Sequence, residues 1–220
     1  MSVSGYRAPL RSLVNSRPES GRQGINNVVP SIRPQRTVLG RLAWLASKRD
    51  AKPIMPIDRN NFESVEFADL QELVDNSIRE SLYLEYKTKM YENTDEDRLE
   101  FLKDVSAFAN TFGGHLVIGI GENKGSASKV LGVLDNPDKK IQWIERFVRD
   151  HIKPTIQGLK VRAIPIESDK YCFVLRIPPS WNRPHRVEFN NANRFWIRNS
   201  IGVHEATMEE LHTLFSRSVD

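Results

Sequence analysis

Apolar residues recur at helical intervals in several stretches of the chain and at alternate or consecutive positions in the segments between them. Phe67, Leu70, Leu73 and Val74 predict a short amphipathic helix before a turn at Asn76 and Ser77. Leu82, Leu84 and Tyr86 then share one face of a strand, with Tyr83, Glu85 and Lys87 on the other. Thr94 starts a second helix with Asp95, Glu96 and Asp97 in its first turn, where carboxylates favour the helix dipole. Leu99, Phe101, Leu102, Val105, Phe108 and Ala109 supply its apolar side, and Gly113 and Gly114 end it.

The run HLVIGIGE that follows predicts one continuous buried strand, and Lys129 to Val133 a short strand after the polar turn NKGSAS. Ile141, Ile144, Phe147, Val148 and Ile152 space a further helix, closed by Pro154. Leu159 to Ile166 and Lys170 to Ile177 predict an antiparallel hairpin across ESD. RPHRVEF and RFWIRN read as extended, and Thr207 with Glu210 forms a capping box that opens the last helix. Helices and strands alternate without strict repetition. The expectation is an α+β fold, a mixed β-sheet with helices packed on it.

Residues 1–60 depart from this patterning. They are rich in Arg, Ser, Asn, Gly and Pro with scattered apolar positions, which predicts a largely disordered, flexible arm ahead of a domain spanning 61–220. Val38, Leu39, Leu42 and Leu45, with Trp44 nearby, predict one short helix over 38–48 within it. The arm also holds the charge. Nine Lys and Arg against Glu19 and Asp50 give residues 1–50 a net +7, so the formal +4 of the whole chain leaves −3 for the remainder. A pI near 9.2 therefore describes the arm and not the body. The Arg-rich, Ser-rich, acid-poor start is also the composition of an organellar transit peptide.

The single cysteine, Cys172, lies in the apolar run YCFVLRI and excludes an internal disulfide or a Cys-rich zinc site. A reducing compartment, the cytoplasm, is the expectation. No apolar run approaches the roughly 20 residues that span a bilayer, so no membrane is expected as a partner.

Glu80 and Glu85 flank a short apolar run, and Glu122 sits where HLVIGI ends, so folding would bring the three carboxylates to one rim. In a regular strand Glu80 would point away from Glu85, so convergence requires Glu80 to belong to the preceding turn. Carboxylates gathered in this way either bind a cation or repel one another.

The segments ESLYLEYK, DVSAFANTFGGHLVIGIGE, VLGV, HIKPTI, VLRIP, RPH and FWIRN occur in the order seen in the Schlafen AlbA-type domain, which the chain resembles from about Phe67 to Phe215. The resemblance implies that family's fold and binding to nucleic acid, DNA or RNA, in a regulatory role. In family members that cut RNA, three acidic residues form a metal-dependent site. They match Glu80, Glu85 and Glu122, with Glu122 standing where Asp is usual, which would make this chain an endoribonuclease using Mg²⁺ or Mn²⁺.

Phosphate contacts need cationic donors, and the candidates are Lys87, Lys89, Arg183, Arg186, Arg194 and Arg198, with His185 and Trp196 among the interleaved aromatic residues Trp181, Phe189 and Phe195. ATP is not expected, because GIGENKG lacks the third glycine of a dinucleotide loop and no GxxxxGK[ST] occurs. His115, His151, His185, His204 and His212 lack metal-ligand spacing. The sequence thus poses three readings: a nucleic-acid-binding protein, a metal-dependent endoribonuclease, and a protein interaction module using Trp44 and exposed aromatics. Self-association through edge strands is a further expectation.

Overall fold

A computed structural model describes residues 56–57, 61–91, 94–167 and 169–216 of the chain. The basic stretch 1–50, the helix expected over 38–48 and Trp44 lie outside the described residues. The helices are α1 (Phe67–Asp75), α2 (Asp95–Asn110), α3 (Pro137–His151) and α4 (Met208–Ser216). None of them is long and apolar enough to cross a membrane.

The main sheet contains β1 (Leu84–Lys87), β2 (Gly114–Ile118), β5 (Val133–Leu134), β7 (Lys160–Glu167) and β8 (Lys170–Ile177). Strand β1 runs parallel to β2, and β2, β5 and β7 all pair antiparallel with β8, so the sheet is mixed. Pleating divides the side chains between two cores. Leu116 and Ile118 of β2 and Phe173, Leu175 and Ile177 of β8 meet Phe101, Phe108, Ile144 and Val148 from α2 and α3. Leu84, Tyr86, Val117, Cys172 and Val174 face the other way, onto Leu70 and Leu73 of α1. Ile57, upstream of the domain start expected at residue 61, is buried in that second core.

Where the sequence predicts one strand, HLVIGIGE forms two. Strand β2 ends at Ile118, and β3 (Ile120–Asn123) leaves the sheet to form a hairpin with β4 (Ser126–Val130). The break falls at Gly119, whose φ is +102°, and a Cβ there would lie 2.8 Å from the Cys172 sulfur. Only glycine fits that corner without displacing the neighbouring strand.

The C-terminal segments build a second sheet in the order β11 (Val203–Glu205), β10 (Ala192–Arg198), β9 (Arg186–Phe189), β6 (Ile152–Lys153). Asn190 and Asn191, both with positive φ, make the two-residue turn between β9 and β10. Helix α2 packs against both sheets, so Phe101, Leu102 and every residue from Asp104 to Asn110 are buried, in place of a single apolar stripe. One polar residue ties α2 to the second sheet. The buried Asn110 amide donates to the carbonyls of His185 (3.0 Å) and Trp196 (2.9 Å) and accepts from the His185 N–H (2.6 Å).

Candidate functional site

Glu80 does lie in the turn before β1. Its backbone N–H donates to the Gly125 carbonyl at 2.7 Å, which lays the segment along the β3–β4 hairpin, and its carboxylate turns back to accept the Tyr86 N–H at 3.1 Å. Glu85 sits on β1 between Leu84 and Tyr86 and points to the opposite face, toward α2. Both carboxylates line a cleft of about 1030 Å³ together with Glu96, Glu100, Lys103 and Asp104 of α2 and the loop Asn199 to Gly202 after β10. Arg79 and Arg198 complete its charged lining.

Glu122 is near but not in the lining. Its carboxylate accepts the Gly125 N–H at 2.6 Å and caps its own hairpin turn. Burial raises the Glu80 carboxyl above its ordinary value, and the charges of Glu85 and Glu122 push it the same way against the Tyr86 hydrogen bond and Arg198.

Glu85 is already matched by cations. Its carboxylate is clasped by the guanidinium of Arg198, which also donates to the Ser81 carbonyl at 3.2 Å and lies 4.6 Å from the Phe108 ring centre. Lys87 sits 3.5 Å from the other Glu85 oxygen, 2.7 Å from Glu100 and 3.3 Å from Asp104. Burial acts to lower the Lys87 pKa, but the three carboxylates together outweigh it and hold the ammonium well above its ordinary value. Asp104 also accepts from the Tyr91 hydroxyl at 2.7 Å, and burial pushes both of these groups up.

Among the described residues no group of three or more His, Cys, Asp or Glu is arranged to hold a metal ion. The donor set explains why. Arg198 and Lys87 occupy the charge-neutralising positions around Glu85, and Glu122 is turned onto its own backbone, so the carboxylates present do not fit a divalent cation in this arrangement.

The other predicted contact residues are scattered. Arg183 is half-buried and donates to the Thr111 carbonyl at 3.1 Å. His185 is fully buried, its Nδ1 2.6 Å from the Pro154 carbonyl, and it does not reach a ligand on the surface. Burial lowers its pKa, with the Pro154 hydrogen bond acting in the opposite sense. Arg186 pairs with Glu188 and Arg194 with Glu205. Arg198, only 8% exposed, is committed to Glu85. Trp196 is half-buried with the Lys103 ammonium 4.4 Å from its ring centre, while Lys89 is exposed.

Sequence reading missed Arg79, Glu96, Glu100, Lys103 and Asp104. Four of them were accessible by spacing. Positions 96, 99, 100, 103 and 104 follow the i, i+3, i+4, i+7, i+8 rhythm of one helix face, and a polar face on a helix otherwise buried marks the wall of a cleft.

A model of the family described as Schlafen, AlbA_2 matches residues 80–207, more than half of the chain and the stretch that supplies most of the cleft lining. The chain belongs to this family. Among solved structures, the Schlafen AlbA_2 fold here is similar to the DIP2311 protein from Corynebacterium diphtheriae, with a TM-score of 0.45 and 15% identity over 67% of this chain and 27% of that one. It is also similar to the N-terminal domain of an ATP-dependent DNA helicase RecG-related protein from Nitrosomonas europaea, with a TM-score of 0.39 and 22% identity over 50% of this chain and 73% of that one. The chain therefore spans 27% of the Corynebacterium protein it resembles. A search of curated proteins returns no match.

Proposed function

We propose that this protein binds nucleic acid through the cleft of its Schlafen AlbA_2 domain and does not cut it. The observation that carries the reading is the distribution of charge in the cleft. Glu85 is paired with Arg198 and Lys87, and Lys87 is shared with the half-exposed Glu100 and the buried Asp104, so two cations offset most of the charge of three carboxylates. Of the other cations lining the cleft, Arg79 and Lys103 form no ion pair among the described residues. Phosphates are attracted to such cations, while carboxylates and Asn199 inside can accept from and donate to base edges. A volume of about 1030 Å³ is on the scale of a pocket for a nucleotide-sized group.

The net +7 of residues 1–50 would add sequence-independent attraction to phosphate, which fits a regulatory role in which the folded surface selects and the basic stretch concentrates. Metal-dependent cleavage finds no support in the arrangement of Glu85. Fluorescence anisotropy of labelled single-stranded DNA and RNA with the full chain at low salt tests the reading. Binding that weakens in Arg79→Glu/Lys103→Glu supports it, and binding by neither nucleic acid ends it.

A further inference from the structure

The outer face of α3 carries a second groove, of about 420 Å³, lined by Lys139, Gln142, Trp143, Glu145, Arg146 and Arg149. It shares no residue with the cleft. The positions fall on one side of the helix, at i, i+3, i+4, i+6, i+7 and i+10, and the charged ones are exposed. Three cations face one carboxylate. Lys139 and Arg146 have no ion pair among the described residues, and Arg149 reaches only the neighbouring Asp150 at 3.4 Å. From Lys139 to Arg149 the helix rises by about 15 Å, enough to follow a short stretch of a polyanion's backbone.

Trp143 sets this face apart from an ordinary solvated helix surface. Its half-buried ring is stacked on Phe147 at 4.9 Å and 12°, and Phe147 in turn meets Phe189 edge-on at 5.6 Å and His151 at 4.7 Å. Phe101 supports Trp143 from the core at 6.0 Å. One face of the ring is thus covered by Phe147, and the Lys140 ammonium, 5.2 Å from the ring centre and paired with Asp135 at 2.9 Å, is the group a stacking base displaces. A fixed indole between unpaired cations matches a ligand that alternates planar π-systems with phosphates.

We propose that the α3 groove is a second contact site for single-stranded nucleic acid, with Trp143 stacking on a base and Lys139, Arg146 and Arg149 holding the flanking phosphates. The inference rests on the nucleic-acid reading but on different residues. Single strands are specified because a paired base does not present its face to the indole.

The test uses the full chain, a short labelled oligouridine, the same backbone without bases, and a duplex, titrated over a range of salt. Lys139→Glu/Arg146→Glu/Arg149→Glu alters only exposed side chains, and its fold is checked by circular dichroism. It is expected to lower oligouridine affinity about tenfold or more and to flatten the log–log salt slope by about two, near 0.7 per lost phosphate contact. The abasic strand is expected to bind about fivefold or more weakly than oligouridine, a difference that Trp143→Leu removes.

An unchanged affinity in the triple variant, with loss only in Arg79→Glu/Lys103→Glu, overturns the groove and leaves the cleft reading standing. Equal binding of abasic strand, oligouridine and duplex also overturns it, since the face would then be a general polyanion patch. Failure of the wild-type chain to bind any strand at low salt overturns both proposals.

Discussion

Arg198 and Glu85, 113 positions apart in the chain, form an ion pair at the floor of the cleft, with the guanidinium 8% exposed and resting on the Phe108 ring. The pair joins β10 of the second sheet to β1 of the main sheet, so it both closes the fold and sets the charge of the site.

Removing Arg198 leaves the partly buried Glu85 with Lys87 alone, which Glu100 and Asp104 already share. Arg198→Met is expected to destabilise the protein by about 3–5 kcal/mol. Adding Glu85→Gln to it should recover part of the loss, because two neutral groups then face each other. Denaturant unfolding of the single and double variants measures the coupling, and additive losses would show that the pair contributes no mutual stabilisation.

Asn110 gives a second outcome of the same kind. Its side chain satisfies three backbone groups of the second sheet, and Asn110→Ala strands them in the interior. The expected cost is roughly 3 kcal/mol, a fall in Tm of about 6–12 °C for a domain of this size. Thermal unfolding followed by circular dichroism checks it.

Glu80 predicts a pH dependence with a definite sign. Its folded pKa is raised, mainly by burial, above the ordinary 4.5. Between these values the folded state binds more protons than the unfolded state, so this group favours folding at low pH and its contribution is lost as pH rises through the folded value. Glu80→Gln keeps an acceptor for the Tyr86 N–H without the charge. It is expected to raise Tm at neutral pH, with the gain shrinking on acidification toward 4.5. A gain that is constant across that range would contradict the assignment.

His185 behaves in the opposite sense. A carbonyl can only accept, so Nδ1–H donates to Pro154 and the buried ring is the neutral Nδ1–H tautomer. Burial lowers its pKa from 6.5, and stability linked to it is full above 6.5 and declines as pH falls toward the folded value. Nitrogen NMR of the imidazole is expected to show this tautomer at neutral pH, and a ring titrating with its ordinary pKa would contradict it.

Much of this was written in local pattern. The stripe Leu102, Val105, Ala109 found α2, the apolar run YCFVLRI found β8, and the odd spacing of Glu80 and Glu85 required the turn that the structure contains. What local pattern could not carry was pairing across the chain. Arg198 reads in FWIRN as a cation free for phosphate, and only the approach of β10 to β1 commits it to Glu85. His185 reads as a ring among arginines, yet the second sheet folds it inward onto Asn110. The break at Gly119 was hidden because an apolar run looks the same whether it stays in one sheet or crosses to another. The α3 groove was hidden by its own periodicity, since Ile141, Ile144 and Val148 drew attention to the opposite face.

The central claim is that the cleft receives a polyanion at Arg79 and Lys103 while Glu85 stays paired with Arg198 and Lys87. Isothermal titration of the full chain with a single-stranded RNA at low salt, with and without Mn²⁺, tests it most directly. The account predicts saturable binding that does not require the metal, weakens steeply with added salt and is reduced in Arg79→Glu/Lys103→Glu. Binding that appears only with Mn²⁺ and disappears in Glu85→Gln would contradict it.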